Sequence, residues 1–580
     1  MDIISYFDSP RNPHHRQYEA MRAFLYEKKA ADQVVQKYGY TKLTVYSMAR
    51  NFKKLLTANK LDEYFFTQPQ LGRPEKLSAT HVKDKIIELR KHYLSVEEIK
   101  ENLDAKGENV SETFIYYTIK TAGFARLPKR TKLVKMDIQS SIKIEAPIAE
   151  LLNEANESFN SSSVGVLCFL PLIKAYGIDS LIINSEYPET ATIPRINSIL
   201  CFIALKLSNI KRYTKDDLWC MDRGLGLFAG LNVLPKATWF SSYSHRVTRE
   251  MNLNFLRSLC KLWQKHGLLS ETTNLDFTTV PYWGDDSHVE NNWSGTRHKA
   301  LASILAVITQ DPDSGIITYG DADVKQASEH DVVIEFLDFY KTSSNDNNNP
   351  KYLVFDSKFT TYQNLRKLDD HDIKFITIRR RGEKIVTGLE NLPQSAWKLI
   401  RVMAGNGKKR LLKVNEQKIF LRDYGKEIRQ IAITGNGKIK PALIITNDLE
   451  LPQADIVRKY AHRWLVEKTI AEQTYFFHFN QVSSSMVIKV DFDLTMTILA
   501  YNLYRLLAAE LPRYSHQTAE KLYEKFISNS GKITINKNRI DIFLKKKRHL
   551  PAILSAMNRL TPCSIDWLEK KINILAASYS

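Results

Sequence analysis

The chain is poor in cysteine, in long apolar runs and in acid. Its five cysteines, Cys168, Cys201, Cys220, Cys260 and Cys563, lie far apart with no CxxC pair among 580 residues. That pattern supplies neither a disulfide framework nor a zinc knuckle and fits a reducing compartment. The longest apolar stretches, 164–173 and 199–207, fall short of the roughly 20 residues that cross a bilayer. The first residues, MDIISYFDSPRN, lack the basic-then-apolar layout of a secretory signal. A cytoplasmic protein with no membrane partner is expected. Acid is outnumbered, 64 Asp and Glu against 83 Lys and Arg, for a formal charge of +19. A folded chain this basic usually meets a polyanion, most often nucleic acid; a solvated basic surface is the alternative. With 43% hydrophobic and 11% aromatic residues the chain can build cores, and its length suggests about three to five domains.

Residues 1–67 carry the first patterned segment. Ala31, Val34, Val35 and Tyr38 form a helical stripe, Gly39 supplies a turn, and Thr41 can cap a helix whose inner face is Leu43, Val45 and Met48. The outer face shows Lys42, Thr44, Tyr46, Arg50, Lys53 and Lys54. This is the layout of a helix-turn-helix with a basic helix able to enter a major groove, and also that of a three-helix structural bundle. A second such unit is expected over 79–135: Ser95 and Glu98 read as a capping box, Ser111 as a second cap, and Gly123 as a helix end. Between them, 68–78 forms a linker with a Gly-Arg-Pro tripeptide. Its Arg73 can enter a narrow minor groove, or the tripeptide is a plain hinge.

Residues 140–268 read as a helical domain without a catalytic constellation. From Asn274 the pattern changes. NLDFTTVPYW, ALASILAVITQ and GIITYG read as three meandering strands, followed by a helix over about 326–341. KYLVFD, a helix near 362–368 and IKFITIRR complete the series. That order is the order of the ribonuclease-H-like fold, expected over 269–378 and 450–510. Asp276 falls midway along the first strand and Asp356 at the end of the fourth, on neighbouring strands. The third acid lies in IVRKYAHRWLVEKTIAEQTYFFHF, which reads as one helix with Tyr460, Arg463 and Glu467 on one face. Three acids brought together repel unless a cation neutralises them. Two Mg²⁺ or Mn²⁺ ions can activate a water or 3′-hydroxyl and stabilise a leaving oxygen, and hard cations want carboxylate oxygen. Tyr460 and Arg463 would then hold phosphates beside the cut. Rival acids are Asp285 and Asp286 in the polar run GDDSHVE, with His288 and Glu290, and Glu472 as substitute for Glu467.

Tyr460 to Glu467, with RW before the acid and AEQTYFFHFN after it, resembles the Y-R-E signature of bacterial insertion-sequence transposases. These are DDE enzymes of the insertion-sequence family four type. LDFTTV around Asp276 and YLVFDSKFTTYQNL around Asp356 are similar to that family's other acidic motifs. The resemblance implies an α+β multidomain transposase that binds double-stranded DNA at element ends and target. It further implies assembly as a homodimer on DNA, and cleavage and strand transfer with two metal ions on Asp276, Asp356 and Glu467. It also implies a β-rich insertion, here 379–449, where RGEKIVTGLE, KKRLLKVNEQKIFL and KPALIITND read as strands. Arg379, Arg380, Arg381, Lys408, Lys409 and Arg410 suit phosphates there, and Trp397 suits a core position or a flipped base. The family has a Lys where this chain has Thr474, so either Lys468 or an insertion residue substitutes for it or the contact is absent. The tail, 511–580, reads as helical and basic, with Lys545, Lys546, Lys547 and Arg548.

Overall fold

The structure is a computed structural model that describes residues 13–57, 82–124 and 156–577. It omits 84, 88, 91–93, 106–107, 109, 123, 191, 212–217, 283–288, 295–297, 344–349, 360, 404–408, 436–440 and 480–486. The chain divides into two compact units, Met1–Val82 and Lys83–Ser580.

In the first unit, α1 (Pro13–Met21) runs on as a π-turn to Tyr26 and is followed by α2 (Ala31–Tyr38) and α3 (Lys42–Thr57). Ala20, Met21, Val34, Tyr38, Val45 and Ala49 form their shared core. Gly39 ends α2 at φ +73°, where its N–H reaches the Val35 carbonyl; a side chain would be strained there. Thr41 caps α3, its Oγ1 accepting from the Thr44 N–H at 3.2 Å. Leu43, expected on the inner face, is 83% exposed. Two positions before buried Val45, it falls on the opposite side of a helix with 3.6 residues per turn.

The second unit begins with α4 (Val96–Ala105) and α5 (Glu112–Thr121). Ser95 and Glu98 form a complete capping box, each side chain accepting from the other's backbone N–H. Ser111 caps α5 at the Phe114 N–H.

The centre of this unit is a ten-stranded mixed sheet. Its strands are β2 (Thr272–Pro281), β3 (Asn291–Ser294), β4 (Lys299–Gln310), β5 (Ile317–Val324), β6 (Tyr352–Phe355), β7 (Lys374–Ile378), β8 (Lys398–Met403), β9 (Lys409–Leu421), β10 (Lys426–Thr434) and β11 (Ala442–Thr446); β1 (Glu157–Ser161) belongs to a second sheet. The order β5-β4-β2-β6-β7 joins an antiparallel meander to two parallel strands. Helices cover both faces. The helix α6 (Arg195–Leu207) and α7 (Arg249–Lys265) belong to the segment before the sheet, which is helical apart from β1. On one face α8 (Val332–Ser343) sets Phe339 against Tyr319 of β5 with ring centroids 4.7 Å apart; α9 (Tyr362–Asp370) buries Leu365 and Leu368 in the same core as Leu353 and Phe375. Of the later helices, α10 (Glu383–Glu390) is set on the outer strands, and α11 (Gln453–His462), α12 (Trp464–Tyr475) and α13 (Val487–Ala509) follow. Ile456 and Val457 of α11 pack with Tyr352, Val354 and Ile376 on the other face.

The helix α13 is apolar nearly all round because it is wrapped by β5, α6 and α7. At Gly320 a Cβ would sit 2.6 Å from Ile498 Cδ1, so glycine lets the helix seat on β5. No helix among the described residues is long and apolar enough to cross a membrane. Asp491, fully buried in α13, is met by Arg249 Nη1 at 2.5 Å and Asn252 Nδ2 at 2.7 Å.

Two expectations are corrected. RGEKIVTGLE is mainly α10, not a strand, because Ile385 and Leu389 sit one helical turn apart and pack with Ala432 and Leu443. The remaining strands of 379–449 extend the central sheet, β11 pairing with β7. The tail is not helical throughout. It holds β12 (Gly531–Ile535), β13 (Arg539–Leu544), α14 (Leu550–Leu560), β14 (Cys563–Ile565) and β15 (Lys570–Ala576). With β1 these make the sheet β1-β12-β13-β15-β14. Alternating Ile533, Ile535, Ile540, Ile542 and Ile572 are buried, a period of two that marks strands. Residues 545–548 form a connection, not a helix.

Candidate active site

The parallel pairing of β2 and β6 sets two carboxylates side by side. Thr272 pairs with Tyr352, Thr273 with Leu353 and Asn274 with Val354. Carried two residues on, the same register puts Asp276 level with Asp356. Strand side chains alternate, so 272, 274 and 276 share one face, and Leu275, Leu353 and Phe355 drop into the main core on the other. Burying those apolar residues fixes which face the acids take. Asp276 Oδ1 accepts from the Phe277 N–H at 2.9 Å, and Asp356 Oδ1 from the Ser357 N–H at 2.6 Å.

The helices α11 and α12 run along that face and bring the third acid. Lys459 Nζ donates to Thr272 Oγ1 at 2.7 Å and lies 4.3 Å from the Tyr352 ring centre. Asn274 Nδ2 donates to the His462 carbonyl at 3.1 Å. The stretch expected to be one helix is interrupted at Arg463, where the Asn274 amide takes a carbonyl of the helix ladder. From this break Arg463 Nη1 donates to Asp276 Oδ2 at 2.8 Å, and Nη2 to Glu467 Oε1 at 2.5 Å. The Tyr460 ring lies 5.7 Å from the guanidinium carbon.

Asp276, Asp356 and Glu467 line one cleft of about 870 Å³. Burial pushes the Asp276 carboxyl up to about 6; Arg463 opposes this, while Glu467 and Asp356 add to it. Burial works against the charge on Arg463, yet Asp276, Tyr460 and Glu467 together hold its pKa above the usual value. Burial also raises Tyr460. Among the described residues no three acid, histidine or cysteine side chains stand together as a ready metal cluster; Arg463 stands as the cation between Asp276 and Glu467. The chemistry of the set still suits hard divalent ions. Its donors are carboxylate oxygens, and burial, with repulsion from Glu467 and Asp356, makes the charged form of Asp276 costly unless positive charge stands near it.

The rivals stand elsewhere or are not described. Glu472 is half-buried, its Oε2 accepting from the Ala519 N–H at 2.7 Å, and it is not among the residues lining the cleft. Glu290 accepts from the Gln326 N–H, whereas Asp285, Asp286 and His288 lie outside the described residues. Thr474 lines the cleft, while Lys468 has its ammonium 3.7 Å from the Trp464 ring centre. In the insertion Arg379 donates to Gln430 Oε1 at 2.8 Å, Arg380 and Lys409 are exposed, and Trp397 packs beside Leu389, Ala432 and Leu443. Lys408 and the side chain of Arg410 are outside the described residues. In the first unit Lys42 pairs with Asp32 at 2.6 Å, the Thr44 hydroxyl is bonded to that of Thr41, and Arg50 is exposed. Arg73 lies outside the described residues.

The lining residues that escape the sequence reading include Trp293, Glu329, Tyr475 and Lys358. Trp293 and Tyr475 are 54% and 68% exposed, unusual for large aromatics. No periodicity marks them; the one available signal for Lys358 is its place two residues after Asp356.

Residues 270–503 match the family model described as the transposase DDE domain. No curated protein matches the chain.

Proposed function

We propose, on the premise that residues 270–503 are a transposase DDE domain, that this chain is an insertion-sequence transposase that cuts DNA at element ends and joins the freed ends to a target. The observation that carries the reading is the meeting of Asp276, Asp356 and Glu467, from two strands and a distant helix, on one cleft. The strand order β5-β4-β2-β6-β7 supports a ribonuclease-H-like core.

Asp276, Asp356 and Glu467 would hold Mg²⁺ or Mn²⁺, taken here as two ions, which when bound would activate the attacking oxygen and stabilise the leaving one. Arg463, no longer the sole counter-charge to Asp276 and Glu467, can turn a nitrogen to a phosphate oxygen, a geometry its planar fork suits. Tyr460, beside it, positions that guanidinium and the phosphate. In the first step a water oxygen bonds to phosphorus and the element's 3′ oxygen leaves as a hydroxyl. In the second, that hydroxyl attacks a target phosphate and displaces the target's 3′ oxygen, so no covalent protein intermediate is needed.

End recognition falls to the basic helix α3, whose outer face carries Lys42, Thr44 and Arg50, and to the helix pair α4 and α5. Arg73 of the linker serves as a minor-groove contact, and Arg379 and Arg380 bind the DNA backbone. Two chains pair on two ends, which makes a homodimer the working assembly.

The test is a linear duplex carrying the gene with its flanking DNA, incubated with full-length protein and Mg²⁺. Cleavage and strand transfer by the parent, and an Asp356→Ala variant that binds the same DNA without cutting it, are expected. Binding without cleavage by the parent would mark a DNA-binding protein, and cleavage without joining a nuclease.

A further inference from the structure

Among its described lining residues the cleft that holds the acids carries little positive charge. Asp276, Glu329, Asp356 and Glu467 line it, and Lys358 is the one cationic side chain among its described lining residues. Arg463 is engaged behind them by two carboxylates. Lys358 sits on a single 3-10 turn, Ser357–Phe359, directly after β6, so the strand end that places Asp356 places it too. Its side chain is exposed, and it makes no hydrogen bond or ion pair among the described residues. A lysine with no partner among the described residues, in a cleft lined by four carboxylates, is suited to an anion that arrives later.

We propose that Lys358 binds a phosphate of the DNA strand drawn into the cleft and positions the neighbouring phosphodiester over Asp276 and Asp356. This rests on the reading of the cleft as a DNA-cutting site. A phosphate entering among four acids is repelled by each of them, and a mobile ammonium with three donors offsets that without demanding fixed geometry. The arginine fork of Arg463 would fix direction; Lys358 would hold the strand down from the turn after Asp356.

Full-length Lys358→Met and Lys358→Arg are compared with the parent and with Asp356→Asn. The probe is a synthetic duplex spanning the cut position mapped with the parent. Lys358→Met should cut roughly 10- to 100-fold more slowly, the size of a lost charge-assisted bond, while Lys358→Arg recovers most of that loss. The discriminating readout is a series of duplexes in which one phosphate near the cut is a neutral methylphosphonate. At one position the parent should slow to the rate of Lys358→Met, and the variant should lose nothing further. Unchanged cleavage by Lys358→Met, or losses that multiply at every position, would overturn the assignment. If the parent does not cut while it binds, the reading of the site fails and Lys358 with it. If the parent cuts and Asp356→Asn does not, the site stands and the methylphosphonate series decides the role of Lys358 alone.

Discussion

Arg463 and Asp276 stand 187 residues apart in the chain and 2.8 Å apart in space. The guanidinium leaves the break between α11 and α12 and meets a carboxylate in the middle of β2, and its second nitrogen holds Glu467. One arginine thus ties two of the three acids together. Its removal should weaken the site twice over, through lost order and lost phosphate contact. Arg463→Ala is expected to cut at least about 100-fold more slowly and to need more Mn²⁺ for half-maximal rate, measured by metal titration. Parental metal dependence in that variant would refute the ordering role.

The raised Asp276 pKa gives a pH signature in protein stripped of divalent ions. The folded state favours the protonated carboxyl more than the unfolded chain does. This group's contribution is therefore fully present below pH 4 and lost as pH rises through about 6. The loss amounts to roughly 3 kcal/mol at most. Urea midpoints of the parent and Asp276→Asn at pH 4.5 and 7.5 measure it, and the variant should lose less stability on going up. An identical fall in both proteins would assign the effect to other groups.

Glu467 and Glu472 separate chemistry from packing on one helix. Glu467→Gln keeps size and should still bind DNA, yet lower cleavage by about a thousandfold or more, since a carboxamide cannot replace a carboxylate as ligand. Glu472→Gln leaves an acceptor for the Ala519 N–H and should cut within a few-fold of the parent. Reversal of the two outcomes would move the third acid one turn along.

Arg249 is the counter-charge for the buried Asp491, at 2.5 Å, and the half-buried Asp321, at 2.9 Å. Arg249→Met leaves Asp491 without a counter-charge inside the core and should cost about 3–5 kcal/mol, read as a lower urea midpoint with unchanged slope. A loss under about 1 kcal/mol would show that water reaches the pair.

On α3, Arg50 is exposed and free to meet a phosphate. Arg50→Ala should weaken binding of the flanking DNA and flatten its salt dependence by about one ion. A variant whose affinity and salt slope match the parent's would take Arg50 out of the interface.

Much of the site is legible in the sequence because strands and helices advertise their faces. The alternation around Asp276 and the run ending at Asp356 each name a strand, and the spacing of Tyr460, Arg463 and Glu467 names helical structure, though the helix breaks at Arg463. The caps at Thr41, Ser95 and Ser111 are equally plain, since hydroxyl caps act over three residues.

What local pattern could not carry was partnership between distant segments. The residues around Asp276 and Asp356 determine only that each lies in a strand; their register is decided when Leu275, Leu353 and Phe355 choose the core together. RGEKIVTGLE is apolar enough for a strand or a helix, and only Ala432 and Leu443 beneath it select the helix. The tail joins β1 from the far side of the core, a pairing with no trace in either segment alone. Lys358 and Trp293 belong to the cleft because tertiary packing put them there. Composition and periodicity act over a few residues; charge and shape across a cleft depend on what folding brings within a few ångströms.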